Sequence, residues 1–158
     1  DGMRTTPEPS IHHILAHSYL MYFVSSIIGL FIDTLIGFSI TVPYADTITG
    51  ICFGVGALLI LWAQYTSRHS AKKNGDQEAI RGPYFFKGPY RYMRNPTHLG
   101  MVILVTGYTL VSGSIVFFAI TVIGYLVSNI FFHRYEAILD RTYGEDYQKY
   151  QASVPKIL

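Results

Sequence analysis

Long apolar runs separated by short charged segments dominate the chain. The first runs from His17 to Ile40 and is interrupted only by Asp33; the second, Thr47 to Thr66, carries no charge. The third, Leu99 to Phe132, extends for 34 residues without one charged side chain. Crossing the hydrocarbon core of a bilayer takes about 20 mostly apolar residues as helix. At a rise of ~1.5 Å per residue the third run would reach about 51 Å, so it must fold back. Its weak point is Val111-Ser112-Gly113-Ser114, where small, polar, helix-weakening residues gather. The pattern predicts an all-α, integral membrane bundle of four transmembrane helices, with spans at about 17–40, 47–66, 99–112 and 114–132. The last two form a helical hairpin, and residues 1–158 make one domain.

Two polar stretches remain, a loop over 67–97 and a C-terminal segment over 133–158. All twelve lysines and arginines fall there or at Arg4, and the connections 41–46 and around Gly113 contain none. Four spans put every basic segment on one side, which the positive-inside rule makes cytosolic, together with both termini. In the C-terminal segment Tyr135, Ile138, Leu139, Tyr143, Tyr147 and Tyr150 recur at three- and four-residue steps. Such a stripe predicts a cytosolic amphipathic helix in the membrane interface, with tyrosines at headgroup level and a break at Gly144.

Composition sharpens this picture. Only 14% of residues are charged, against about 25% in soluble domains. A net charge of +2 argues against a nucleic-acid partner. The single cysteine, Cys52, forms no internal disulfide, and no Cys/His spacing suggests a metal site. His13 and His17, one turn apart, lack a third ligand and read as interfacial. Asp33 lies toward the non-cytosolic end of its span and reads as a structural hydrogen-bond partner; Trp62 and Tyr65 read as an aromatic belt. Gly29, Gly37, Gly50, Gly54, Gly56, Gly107 and Gly124 suit close helix packing in lipid. Asp1-Gly2 ahead of Met3 reads as a residual tag, and no cleavable leader is expected.

The loop holds Gly82-Pro83-Tyr84 and then Gly88-Pro89-Tyr90-Arg91-Tyr92-Met93-Arg94-Asn95-Pro96-Thr97-His98-Leu99-Gly100. Prolines and glycines make such a stretch irregular and rigid. Arg94, at the mouth of a span, is suited either to a carboxylate, held through two parallel hydrogen bonds, or to lipid phosphates. Lys72, Lys73 and Lys87 read as phosphate anchors. Glu136 falls one turn past the last span, where a carboxylate gains little without a partner or ligand.

These segments resemble the isoprenylcysteine carboxyl methyltransferases and the related phospholipid N-methyltransferases. The resemblance rests on Gly88-Pro89-Tyr90, Arg94-Asn95-Pro96-Thr97-His98-Leu99-Gly100, Glu136, Tyr143-Gly144-Glu145-Asp146-Tyr147-Gln148-Lys149-Tyr150 and Val154-Pro155, in the family's order and spacing. It covers about the last 70 residues. The chain departs at Asn95, where the family has histidine, at His98, where it has tyrosine, and at Tyr135, where it has glutamate. The resemblance implies an enzyme that transfers methyl from S-adenosylmethionine to a lipophilic acceptor entering sideways between spans. Arg94 would hold the cofactor's carboxylate and Glu136 its hydroxyls or amino group. Tyr90, Tyr147, Asn95, Pro96, His98, Leu99 and Gly100 would frame the rest, and Gly54-Val55-Gly56 matches an earlier glycine pair of the phospholipid branch. The acceptor stays open between a prenylated cysteine carboxylate, a phospholipid amine and a small hydrophobic molecule. The alternatives are an NADPH-dependent, sterol-reductase-like membrane enzyme, and a non-catalytic membrane module that keeps the fold; cofactor preference separates them.

Overall fold

The computed structural model describes residues 11–73 and 86–155, with side chains over 20–66, 86–141 and 143–155. Five α-helices follow in order: α1 (Ile11–Ile36), α2 (Ala45–Lys73), α3 (Pro96–Ser112), α4 (Ile115–Tyr143) and α5 (Glu145–Ser153), with a 3₁₀ turn at Gly88–Arg91 before α3. His13, His17, Arg68, Lys72, Lys73 and the Gly82-Pro83-Tyr84 motif lie outside these described side chains.

Among the described residues two stretches are long and apolar enough by themselves to cross a membrane, Ala45–Thr66 and Ile115–Arg141. Leu20–Ile36 and Pro96–Ser112 are shorter apolar helices. The bundle is turned inside out relative to a water-soluble one: Phe31 is 66% exposed, Leu35 71%, Leu58 68%, Leu61 64% and Ile123 61%. An apolar surface that broad marks a nonaqueous neighbour.

Small residues set the packing inside. Antiparallel α2 and α3 meet closely, so that a Cβ built on Gly56 would fall 2.8 Å from the Gly100 carbonyl oxygen, and one on Gly107 2.8 Å from Cys52 Cβ. Thr49 Oγ1 donates to the Gly107 carbonyl at 2.7 Å across the same seam. α1 and α4 form the second close pair, where Gly29 receives the Phe117 ring and Gly124 faces Ser25. The expected hairpin of α3 and α4 is antiparallel, but long side chains span it rather than close backbones: Tyr108 meets Phe117 near the turn and His98 meets Tyr125 at the far end. Glycines decide this, since they line the α2–α3 and α1–α4 seams.

Several boundaries differ from the sequence expectation. α1 ends at Ile36, and the chain beyond it runs extended beside the α3–α4 turn, where the Ile40 amide donates to the Gly113 carbonyl at 2.9 Å and Ser39 pairs with Ser114. α2 continues past Thr66 to Lys73 because neither glycine nor proline intervenes. α3 begins at Pro96, whose fixed φ suits a first helical turn. Gly113, at φ +61, makes the turn that separates α3 from α4.

The largest difference lies at the C-terminus. Residues 133–143 are the last turns of α4, since nothing between Phe132 and Tyr143 breaks a helix. Only α5 is a separate helix, set off by Gly144 at φ +54. The tyrosine stripe is turned into the chain. Leu139, Tyr147, Tyr150 and Val154 bury one another, with Tyr135 and Tyr143 packed against them. The stripe spans both sides of the Gly144 break, so folding α5 back on α4 buries it within the chain.

Candidate functional site

Four segments converge at the basic end of the bundle: the 3₁₀ turn, the first turn of α3, the end of α4, and α5. Gly88 lets the 3₁₀ turn approach α2, where a Cβ at that position would strike the Thr66 side chain. Pro89 and Pro96 are fully buried and hold the intervening strand of chain in place. α5 then closes over it. Tyr150 Oη donates to the Tyr90 carbonyl at 2.7 Å, and Phe86 meets the Tyr150 ring edge-on at 5.3 Å.

At the centre Arg94 Nη1 donates to Glu136 Oε1 at 2.5 Å, with side chains only 14% and 11% exposed. Exposed His133 brings Nδ1 to 3.9 Å from the other oxygen, Glu136 Oε2. Tyr147, on the buried face of α5, hydrogen-bonds Arg94 and Gln151. Burial and then the Glu136 charge push its phenol up to about 12, partly opposed by Arg94 and those hydrogen bonds. Burial, the neighbouring Tyr147 and Tyr90 raise Tyr150 likewise, against Arg94. Both phenols are therefore neutral donors at ordinary pH. Arg94 Nε is buried without a hydrogen-bond partner. A guanidinium presents its donors in a fixed fork, and this one keeps an unmet capacity to donate.

The structure thus brings Arg94, Glu136 and Tyr147 together, with Tyr90 contributing its backbone. It gives the other expected site residues different surroundings. Asn95 caps α3, its side chain accepting from the His98 amide at 3.3 Å. Buried His98 turns into the bundle, Nε2 lying 2.9 Å from Ser128 Oγ, its ring stacked on Tyr125 and edge-on to Tyr22. Leu99 is half-buried beside it, and Gly100 packs against Ile60 and Gly56. Gly56 therefore serves the α2–α3 seam, while a side chain at Gly54 would meet nothing within 4 Å.

Asp33 belongs to the opposite end. It accepts from Ser114 Oγ, and Ser114 Oγ in turn accepts the Phe117 amide at 3.0 Å as the cap of α4. Among the described residues no three histidine, cysteine, aspartate or glutamate side chains cluster as metal ligands.

Sequence reasoning did not single out Ser128, Tyr125, Tyr22 or Gln151. Ser128 and Tyr125 sit within an apolar run at spacings of eight and eleven from Glu136, and this α-helical register is the signal that could have found them.

A family model described as phospholipid methyltransferase matches residues 51–146, a stretch holding Gly54, Gly56, Tyr90, Arg94, His98 and Glu136. No curated protein and no solved structure matches the chain.

Proposed function

The chain belongs to the phospholipid methyltransferase family, and on that premise we propose that it transfers methyl from S-adenosylmethionine to the amine head of a membrane lipid at the Arg94–Glu136 site. The observation that carries the reading is the Arg94–Glu136 pair under Tyr147, with Arg94 Nε buried and unpartnered. A buried donor without an acceptor is costly, and a ligand carboxylate relieves it. The residues present therefore suit the cofactor. When bound, it supplies an electrophilic methyl group on a sulfonium.

Arg94 orients the cofactor's carboxylate, exchanging part of its contact with Glu136 for that interaction. Glu136 accepts from hydroxyl or amino groups through the oxygen that Arg94 leaves free. Tyr147 stays protonated and donates. α5, latched by Tyr150, excludes water. Methyl transfer to a good nucleophile asks little more than alignment in a water-poor place, and alignment alone supplies a large share of the rate. The lipid reaches the site sideways from the bilayer.

The same reading takes α1 to α4 as four spans, the two shorter helices crossing in pairs with the longer ones. All basic residues, both termini and α5 lie on the cytosolic side, where exposed Lys87 and Arg91 meet lipid phosphates. The membrane itself and its lipids are the partners.

Titration calorimetry of the detergent-solubilised protein tests the proposal, with S-adenosylmethionine or its demethylated product run beside NADPH. Micromolar binding of the adenosyl ligand alone is expected. Binding of NADPH alone would transfer the protein to the reductase class, and silence from both would leave a non-catalytic membrane module.

A further inference from the structure

Four buried side-chain atoms among the described residues lack a hydrogen-bond partner: Arg94 Nε, Thr121 Oγ1, Asn129 Oδ1 and Asp140 Oδ1. Arg94 belongs to the site already described. Asp140 lies near the basic, water-facing end of α4. A threonine hydroxyl within a helix rotates and bonds to the carbonyl one turn back at little cost. Asn129 has no such remedy. Its amide sits inside an apolar span, Ile115–Arg141, where an unsatisfied polar group is expensive and an uncommitted polar side chain marks function.

Its place on α4 says what it serves. Asn129 stands seven residues before Glu136, on the same helical face and about 10 Å deeper along the axis. Tyr125, one turn deeper again, stacks on His98 of α3 at 5.4 Å, and neighbouring Ser128 hydrogen-bonds the same histidine. That face of α4 is therefore directed at α3, across the interval that only long side chains bridge. The Asn129 oxygen is enclosed by the chain's own atoms rather than turned to lipid.

We infer that Asn129 holds the methyl acceptor, its side-chain carbonyl accepting a hydrogen bond from the acceptor's N–H and so fixing the amine below the Arg94–Glu136 pair. The inference rests on the methyltransferase reading and adds to it the residue that receives the acceptor. A carbonyl oxygen needs a donor, which an amine provides and an ionised carboxylate does not. His98, tied to Ser128 and stacked on Tyr125, forms the wall that keeps the Asn129 face of α4 apart from α3.

The test uses wild-type protein, N129L and the smaller N129V in nanodiscs containing dioleoyl phosphatidylethanolamine, with labelled S-adenosylmethionine. Both substitutions place favourable apolar groups in a span, and unchanged affinity for the adenosyl ligand certifies the fold. The expected result is a rise of roughly tenfold in KM for the amine lipid in both variants, the scale of one buried hydrogen bond. Transfer by wild type with an unaltered KM in N129L and N129V overturns the inference and leaves the proposed function standing. Transfer to the carboxylate of N-acetyl-S-farnesylcysteine in place of the amine lipid also overturns it. Wild-type protein that binds no adenosyl ligand removes the proposed function, and the role of Asn129 falls with it.

Discussion

Arg94 and Glu136, 42 residues apart in sequence, meet through a 2.5 Å contact between Nη1 and Oε1 in a part-buried setting. Each is thereby the other's countercharge, and neither is an isolated ligand-binding group. Removing one partner strands the other, a change that costs about 3–5 kcal/mol for fully buried pairs and correspondingly less at this exposure. R94A and E136A should each lower thermal stability in detergent. Each should also abolish measurable binding of the adenosyl ligand, while the double variant is no worse than the poorer single one. R94K separates charge from shape, because an ammonium lacks the planar fork. It should keep most of the stability and still lose at least about tenfold in affinity. Unchanged affinity in R94K would mean that the unpartnered Nε takes no part in binding.

Asp33 offers the opposite case, a carboxylate in an apolar helix bonded to the residue that caps α4. Its acceptance from Ser114 Oγ holds the residue that caps α4 and so fixes the turn at Gly113. D33A should destabilise by about 1–3 kcal/mol, the scale of a charged hydrogen bond and a weakened cap. Affinity for the adenosyl ligand should not change. A calorimetric titration showing a loss in D33A comparable to that in R94A would place Asp33 in the functional network instead.

Much of this arrangement is legible without coordinates because it follows from one-dimensional patterns. The uncharged stretch from Leu99 to Phe132 had to fold back, and the glycine-serine cluster at 111–114 marked where. Arg94 and Glu136 were conspicuous as charges at span ends. What stayed hidden depends on pairing between distant segments. Nothing local says that Arg94 and Glu136 touch, or that His98 turns into the bundle to meet Ser128 while Asn95 spends its side chain on a helix cap. The tyrosine stripe carried the right periodicity but could not disclose its partner, because burial against the chain and burial in a membrane interface impose the same pattern. Asn129 is inconspicuous among apolar neighbours, since the missing partner of its amide oxygen is a property of the folded packing.

The α5 latch should respond to alkaline pH. The Tyr147 phenol rises from its ordinary value near 10 to about 12 through burial, with Glu136 adding to the shift. A raised folded-state value means that the folded protein binds the proton more tightly. Its contribution to stability is complete below about pH 10 and is lost as pH climbs through about 12. Tyr150 shifts in the same direction. Tyrosinate absorbance should therefore show a late-titrating class, accompanied by faster proteolysis of the C-terminal segment. Y150F removes the bond to the Tyr90 carbonyl and should cost about 0.5–1.5 kcal/mol. Its C-terminal segment should become protease-sensitive at neutral pH, with weaker binding of the adenosyl ligand. If Y150F matches wild type in both respects, α5 is held by packing alone.

Gly54 and Gly56 lie two residues apart yet on different faces of α2, so alanine at each asks a different question. A Cβ at position 56 would meet the Gly100 carbonyl oxygen at 2.8 Å and Leu104 Cγ at 2.9 Å. Backbone on the far side cannot yield as a flexible side-chain tip would. α2 and α3 must therefore separate, with an overpacking penalty of about 1–3 kcal/mol. The separation also moves Pro96, which opens α3 about one turn before Gly100, and Arg94 just ahead of it. G56A should thus lose both stability and affinity for the adenosyl ligand. At Gly54 the added methyl meets nothing within 4 Å, and alanine is the better helix former, so G54A should match or exceed wild-type stability. Thermal unfolding of the two variants side by side, each followed by calorimetry, decides the point. Loss of affinity in a stable G54A would assign that open face of α2 to a bound ligand, whereas retained affinity leaves the glycine pair with a packing role at Gly56 alone.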